Sequence, residues 1–111
     1  MGEDAAVEFL KKNGTAIIER NFRVRGGEID IVGINNKTLV LYEVKTRATS
    51  EFGSPLEAIT PWKLRSLIKT AHFYKLKHPA LPDNMRIDAV SVRVDDSGRI
   101  LSIELVKNIS G

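Results

Sequence analysis

The stretch Glu28-Ile29-Asp30-Ile31-Val32-Gly33-Ile34-Asn35-Asn36-Lys37-Thr38-Leu39-Val40-Leu41-Tyr42-Glu43-Val44-Lys45-Thr46 decides how the chain folds. Two runs rich in β-branched and apolar residues, Glu28 to Ile34 and Leu39 to Thr46, flank Asn35-Asn36-Lys37, which takes left-handed turn geometry readily. The pattern predicts an antiparallel hairpin. Residues two apart in a strand share a face, so Glu28 and Asp30 project together while Ile29 and Ile31 turn to the other side. In the second strand Leu41, Glu43 and Lys45 share one face, and Val40, Tyr42 and Val44 share the more apolar one. A register that pairs Asp30 with Leu41 or with Glu43 gathers Glu28, Asp30, Glu43 and Lys45 on one face. A one-residue slip separates the four charges and also puts the apolar faces out of alignment.

Outward from the hairpin, Glu3 to Asn13 places Ala6, Phe9 and Leu10 on one helical face, with Gly14 where a terminating glycine belongs. Ala16 to Phe22 reads as a strand that leads into a basic turn, Arg23-Val24-Arg25-Gly26-Gly27. On the C-terminal side, Ser54-Pro55-Leu56-Glu57 has the Ser and Glu of a capping box, which predicts a short helical turn. Thr60-Pro61 opens a longer helix whose Leu64, Leu67, Ile68, Ala71 and Tyr74 recur at helical spacing until Pro79. Met85 to Val94 and Arg99 to Val106 are two further strands about the turn Asp95-Asp96-Ser97-Gly98. The expected order is helix, three strands, helix, two strands: an α/β domain over residues 1–111, with a mixed five-stranded sheet flanked by helices.

The chain has 111 residues, in the usual range for one domain, and no repeat or linker marks a second. It has no cysteine, which excludes disulfides and thiolate metal sites and suits a reducing cytoplasm. No apolar run approaches the roughly 18 residues of a membrane span. A formal charge of +3, from 17 Lys and Arg against 14 Asp and Glu, is mildly basic. If several acids are gathered at one site, the remaining surface is more positive than that total and suits a polyanion.

Carboxylates facing one another on adjacent strands repel, and burying them unpaired is costly. Lys45 supplies one positive charge, and the remaining excess suits a hard cation such as Mg²⁺ or Mn²⁺ with oxygen ligands. The bland alternative is an exposed sheet face with solvated ion pairs. Glu3 lies beside the core-facing stripe of the first helix, where it either points at the sheet or simply complements the helix dipole.

Gly2-Glu3, Asn21-Phe22-Arg23, Gly27-Glu28-Ile29-Asp30 and Glu43-Val44-Lys45-Thr46-Arg47 together resemble the YraN-like family of small bacterial proteins. Phe52-Gly53-Ser54-Pro55, Glu57-Ala58, Thr60-Pro61, Lys63 and Arg86-Ile87-Asp88 extend the resemblance over nearly the whole chain, with Thr15 and Trp62 departing from commoner family residues. That family is similar to the PD-(D/E)XK nucleases, close to archaeal Holliday junction resolvases. The resemblance implies a restriction-endonuclease-like core. It makes Asp30 and Glu43 metal-binding carboxylates, adds the Val44 carbonyl as a further ligand, and casts Lys45 as the catalytic lysine. Glu3 matches the first-helix glutamate of the resolvase relatives, Glu28 lies beside the metal, and Lys63 holds a second-helix position often occupied by Lys or Gln.

The activity implied is Mg²⁺- or Mn²⁺-dependent hydrolysis of DNA phosphodiesters, with branched or junction DNA as substrate. The alternative is a nucleic-acid-binding module that keeps the fold without catalysis. Arg20, Arg23, Arg25 and Arg47 flank the two strands and, with Lys63, are candidate phosphate contacts. Trp62, Phe73 and Leu76 lie opposite the core stripe of the second helix, interspersed with Arg65 and Lys69. A homodimer contact, a base-stacking surface and a second packing layer are the roles open to them. Asp88 reads as a buried polar support, and His72 and His78 receive no catalytic role.

Overall fold

A computed structural model describes residues 2–48 and 59–111. Acids in the first turn and lysines in the last complement the dipole of helix α1 (Gly2–Lys12), and Gly14 closes it at φ +89°. Strands β1 (Ala16–Val24), β2 (Gly27–Asn35) and β3 (Thr38–Ala48) follow, then helix α2 (Pro61–Lys77) and strands β4 (Met85–Val94) and β5 (Ile100–Val106). This is the expected order of elements. The Ser54-Pro55-Leu56-Glu57 turn lies outside the described residues.

The five strands form one sheet in sequence order, antiparallel except for the parallel pair β3–β4. A parallel pair needs a long crossover, and α2 lies within this one. Asn36 and Lys37, at φ 50° and 63°, make the β2–β3 turn in the left-handed geometry that the sequence favours. Thr60 caps α2 by accepting the Lys63 N–H at 3.2 Å, with Pro61 at the first helical position.

The sheet carries a core on each face. Ala6, Val7 and Leu10 of α1 pack on Ile31, Val40, Tyr42, Val90 and Val92. Leu67, Ala71 and Tyr74 of α2 pack on the other face, against Ile29, Val32, Leu39, Leu41 and Ile87. The alternation predicted for β3 holds throughout.

In β2 it fails: Ile29 belongs to the α2 core and Ile31 to the α1 core, so the two do not share a face. The cause is a bend common to β1 and β2. Asn21 lies between the pairs Arg20–Ile31 and Phe22–Ile29 and takes φ 55°, so Phe22 joins Ile29 against α2. Beyond the bend the β1–β2 tip curls over α2. Strand β1 runs on to Val24, which leaves Arg25 and Gly26 as the turn proper.

The curled tip is fastened to α2. Ser66 Oγ donates to the Gly26 carbonyl at 2.8 Å, and a Cβ placed on Gly27 would collide with Thr70 Oγ1 and crowd Thr70 Cβ. Asp88, fully buried, accepts from Arg86 Nε at 3.0 Å and from the Asn108 N–H at 2.8 Å, which ties β4 to the C-terminal segment. Its reading as a buried support is borne out.

Gly27→Ala is expected to destabilise the protein by about 1–3 kcal/mol through overpacking at this contact. Thr70→Ala in the same chain should recover most of the loss, measured by urea unfolding of both single variants and the double. An additive double variant would show that the close approach is not the constraint.

Candidate active site

The bend has a consequence for β3. The β2–β3 ladder stops at Ile31–Tyr42, although β2 reaches back to Gly27 and β3 runs on to Ala48 beside β4. The sheet forks there, and Asp30 stands in the fork. Its Oδ2 accepts the Val44 N–H at 2.8 Å, so a carboxylate replaces the next rung of the ladder. In an extended strand a residue's N–H and C=O share an edge, so the Val44 carbonyl lies on the edge that faces the fork.

Glu43 is the buried member of the site, 3% exposed. Its Oε2 lies 2.9 Å from Lys63 Nζ of α2 and 3.6 Å from Lys45 Nζ on its own strand. Glu28 is exposed at the rim, where Arg23 Nε donates to it at 2.6 Å. An open cleft of about 390 Å³ runs past Arg23, Glu28, Glu43, Lys63, Ser66 and Leu67. The four charges of the hairpin do converge, at a fork between strands and not on one flat face.

Burial pushes the Asp30 carboxyl up to about 7; the neighbouring Glu43 and Glu28 act in the same direction, and the Val44 N–H opposes them. Arg23 holds the Glu28 carboxyl below its usual range, and the hydrogen bond to Glu43 raises the Lys63 ammonium. Below about pH 7, where Asp30 keeps its proton, Arg23 on Glu28 and Lys45 and Lys63 on Glu43 largely offset the excess of negative charge inferred from the sequence.

The remaining candidates separate. Glu3 accepts from Arg20 Nη2 at 3.0 Å and Asn21 Nδ2 at 3.1 Å, on the α1 side of β1, and makes no polar contact with Asp30, Glu43 or Lys45 among the described residues. Arg20 also reaches Asp4 at 2.7 Å, so its charge is committed within the chain. Arg47, a candidate phosphate contact from the sequence, is buried at 6% exposure on the face of β3 that carries Glu43 and Lys45. Arg23 and Arg25 are both exposed at the hairpin tip and keep the open position expected of them, Arg23 while paired with Glu28.

Lys63, which sequence spacing put at the margin of the apolar stripe, reaches into the site. Ser66 escaped the sequence reading altogether, because nothing in a helical serine signals a bond to a distant turn. His78 is structural: its ring stacks on Tyr74 with centroids 4.1 Å apart, and its Nδ1 lies 2.8 Å from the Tyr74 carbonyl. Trp62, Phe73 and Leu76 remain exposed in the single chain, so α2 supports no second packing layer among the described residues.

The donor set suits a hard cation. Mg²⁺ commonly takes one or two protein carboxylates and completes its shell with water and substrate phosphate, and Asp30, Glu43 and the Val44 carbonyl supply such a partial set. Among the described residues no three His, Asp or Glu side chains form a ready cage.

Residues 2–92 match the family described as Uncharacterised protein family UPF0102. The chain belongs to this family. A UPF0102 protein of Caldicellulosiruptor saccharolyticus is 44% identical over 107 residues, covering 96% of this chain and 91% of its own. One from Persephonella marina is 46% identical over 91 residues, covering 82% of this chain and 78% of its own. The membership implied by the motifs is thereby shown. A chain of the EndoMS–dsDNA2 complex aligns with 86% of this chain and 36% of its own, at 19% identity and a TM-score of 0.45. No helix among the described residues is long and apolar enough to cross a membrane.

The Asp30 environment predicts a pH dependence. Between the ordinary value of 3.8 and about 7, the unfolded chain has released a proton that the folded chain keeps, so this site lowers stability as pH rises through that window. Asn keeps an acceptor for the Val44 N–H without the charge. Asp30→Asn is expected to raise Tm by several degrees near neutral pH and much less near pH ~4. Equal shifts at both pH values would contradict a proton held at this carboxyl.

Proposed function

We propose that the chain is a Mg²⁺- or Mn²⁺-dependent nuclease that hydrolyses phosphodiester bonds in DNA, with branched or junction DNA as its substrate. The observation that carries this reading is the fork itself. Asp30 and Glu43, with Glu28 at the rim, meet Lys45 and Lys63 at an open cleft where β2 leaves β3. The motif resemblance at Asp30, Glu43 and Lys45 supports it independently.

Asp30, Glu43 and the Val44 carbonyl would hold the ion. When bound, it supplies Lewis acidity toward a phosphate oxygen and lowers the pKa of a water. To hold an ion, Asp30 would have to be ionised, and Glu43 would have to turn from Lys63 toward it. Lys45, partly exposed beside Glu43, orients the attacking water and stabilises the negative charge that develops on the phosphate. Lys63, 2.9 Å from Glu43, places a second positive charge at the cleft wall. Glu28 and Arg23 define its rim. Glu3 acts, in this reading, as a positioning residue that holds Arg20 and Asn21 at the bend.

One feature favours the competing reading, a nucleic-acid-binding module without catalysis: the site's charges are nearly balanced before any ion enters. The deciding experiment incubates the protein with labelled linear, flapped and four-way DNA in Mg²⁺ or Mn²⁺. Cleavage is expected, with a fall of about a hundredfold or more in Lys45→Ala. A wild type that cuts none of these substrates, or a Lys45→Ala protein that cuts equally well, overturns the nuclease reading.

Metal dependence has its own readout in thermal unfolding. At an ion concentration about a hundred times its Kd the folded state should gain about 2.7 kcal/mol. That gain should disappear in Asp30→Asn. Its persistence there would place the ion elsewhere.

A further inference from the structure

A second depression, of about 770 Å³, adjoins the cleft and shares Val24 and Ser66 with it. It runs between the hairpin tip and the outer face of α2, along Arg25, Trp62, Arg65, Lys69 and Phe73. Trp62 is 70% exposed and Phe73 43%. The Arg65 guanidinium lies 5.1 Å from the Trp62 ring centre, and Lys77 Nζ lies 5.5 Å from that of Phe73. No acidic residue lines the depression among the described residues.

We infer that this groove binds an unpaired strand of the nucleic acid, with bases on Trp62 and Phe73 and phosphates on Arg25, Arg65 and Lys69, leading into the cleft at Glu43. The inference deepens the nuclease reading and rests on it for the position of the scissile phosphate. Aromatic rings together with cations along a continuous groove are what single strands use, because every base offers a π face and every nucleotide a phosphate. A paired base keeps its faces inside the stack, where neither ring can reach them.

Trp62 and Phe73 are eleven residues apart on one helix, about 16 Å along its axis, a span that accommodates several nucleotides. Helix α2 carries Lys63, Arg65, Lys69, Lys75 and Lys77 and no acid, so a second copy docked face to face would oppose like charges. The charge pattern favours a polyanion over a dimer.

Trp62 is the only tryptophan in the chain, so its fluorescence reads the groove directly. The experiment titrates the full chain, in chelator so that no cleavage intervenes, with a short oligothymidylate and with a blunt duplex of the same length. Saturable quenching by the single strand is expected, with the duplex at least about tenfold weaker. Anisotropy of a labelled oligothymidylate should show a loss of about tenfold or more in Trp62→Ala and in Lys69→Glu, with Trp62→Phe close to wild type. Both positions are exposed, so these variants should keep the wild-type unfolding curve.

Equal binding of the two oligonucleotides, or wild-type affinity in Trp62→Ala, overturns the inference. So does tryptophan emission that changes with protein concentration alone while the chain sediments as a dimer. Single-strand binding without cleavage of any DNA leaves the groove standing and fails the nuclease reading. Cleavage of blunt duplex as fast as of a substrate with an unpaired arm fails the groove and leaves the nuclease reading intact.

Discussion

The contact on which this structure turns is the one between the Asp30 carboxylate and the Val44 N–H, 2.8 Å apart. A backbone donor at that point would normally meet a carbonyl of the neighbouring strand. Here a side chain meets it, which allows β2 to leave β3 without orphaning the donor. The opening holds the acids, and the same hydrogen bond keeps Asp30 where burial and Glu43 favour its protonated form.

Each half of the molecule then has a distinct task. Strand β3 is held rigidly, paired with β4 from Leu39 to Ala48, so Glu43 and Lys45 are presented on a fixed template. The β1–β2 tip is held by α2 instead, through Ser66, the close approach at Gly27, and Phe22 packed edge-on against Tyr74 with centroids 4.8 Å apart. Helix α2 therefore sets the width of the cleft on one side and contributes Lys63 to it on the other. The second groove continues from the same junction, because the tip that α2 fastens is also the wall bearing Arg25.

Charge at the fork is managed within the chain. Glu43 is buried with two lysines in reach, Glu28 is answered by Arg23, and burial favours the protonated form of Asp30 up to about pH 7. A buried carboxylate left without such partners costs several kcal/mol. The arrangement is stable as it stands and can exchange a proton and a lysine contact for a cation, a property suited to binding an ion together with its substrate.

The sequence by itself determined the order of elements, the β2–β3 turn, the alternation of β3, and the residue types at the site, because these follow from local periodicity and turn chemistry. It brought Asp30, Glu43, Lys45 and Glu28 together by parity, and the structure does bring them together. Parity misplaced Ile29 relative to Ile31, since a left-handed residue at Asn21 in the partner strand marks a bend that no pattern within β2 encodes. Tertiary packing alone decided that Lys63 enters the site, that Arg47 is buried, that Glu3 engages Arg20, and that Trp62 and Phe73 flank a groove continuous with the cleft. Each of these depends on contacts between elements distant in the chain, whose distances and burial are set only when helix and sheet pack together.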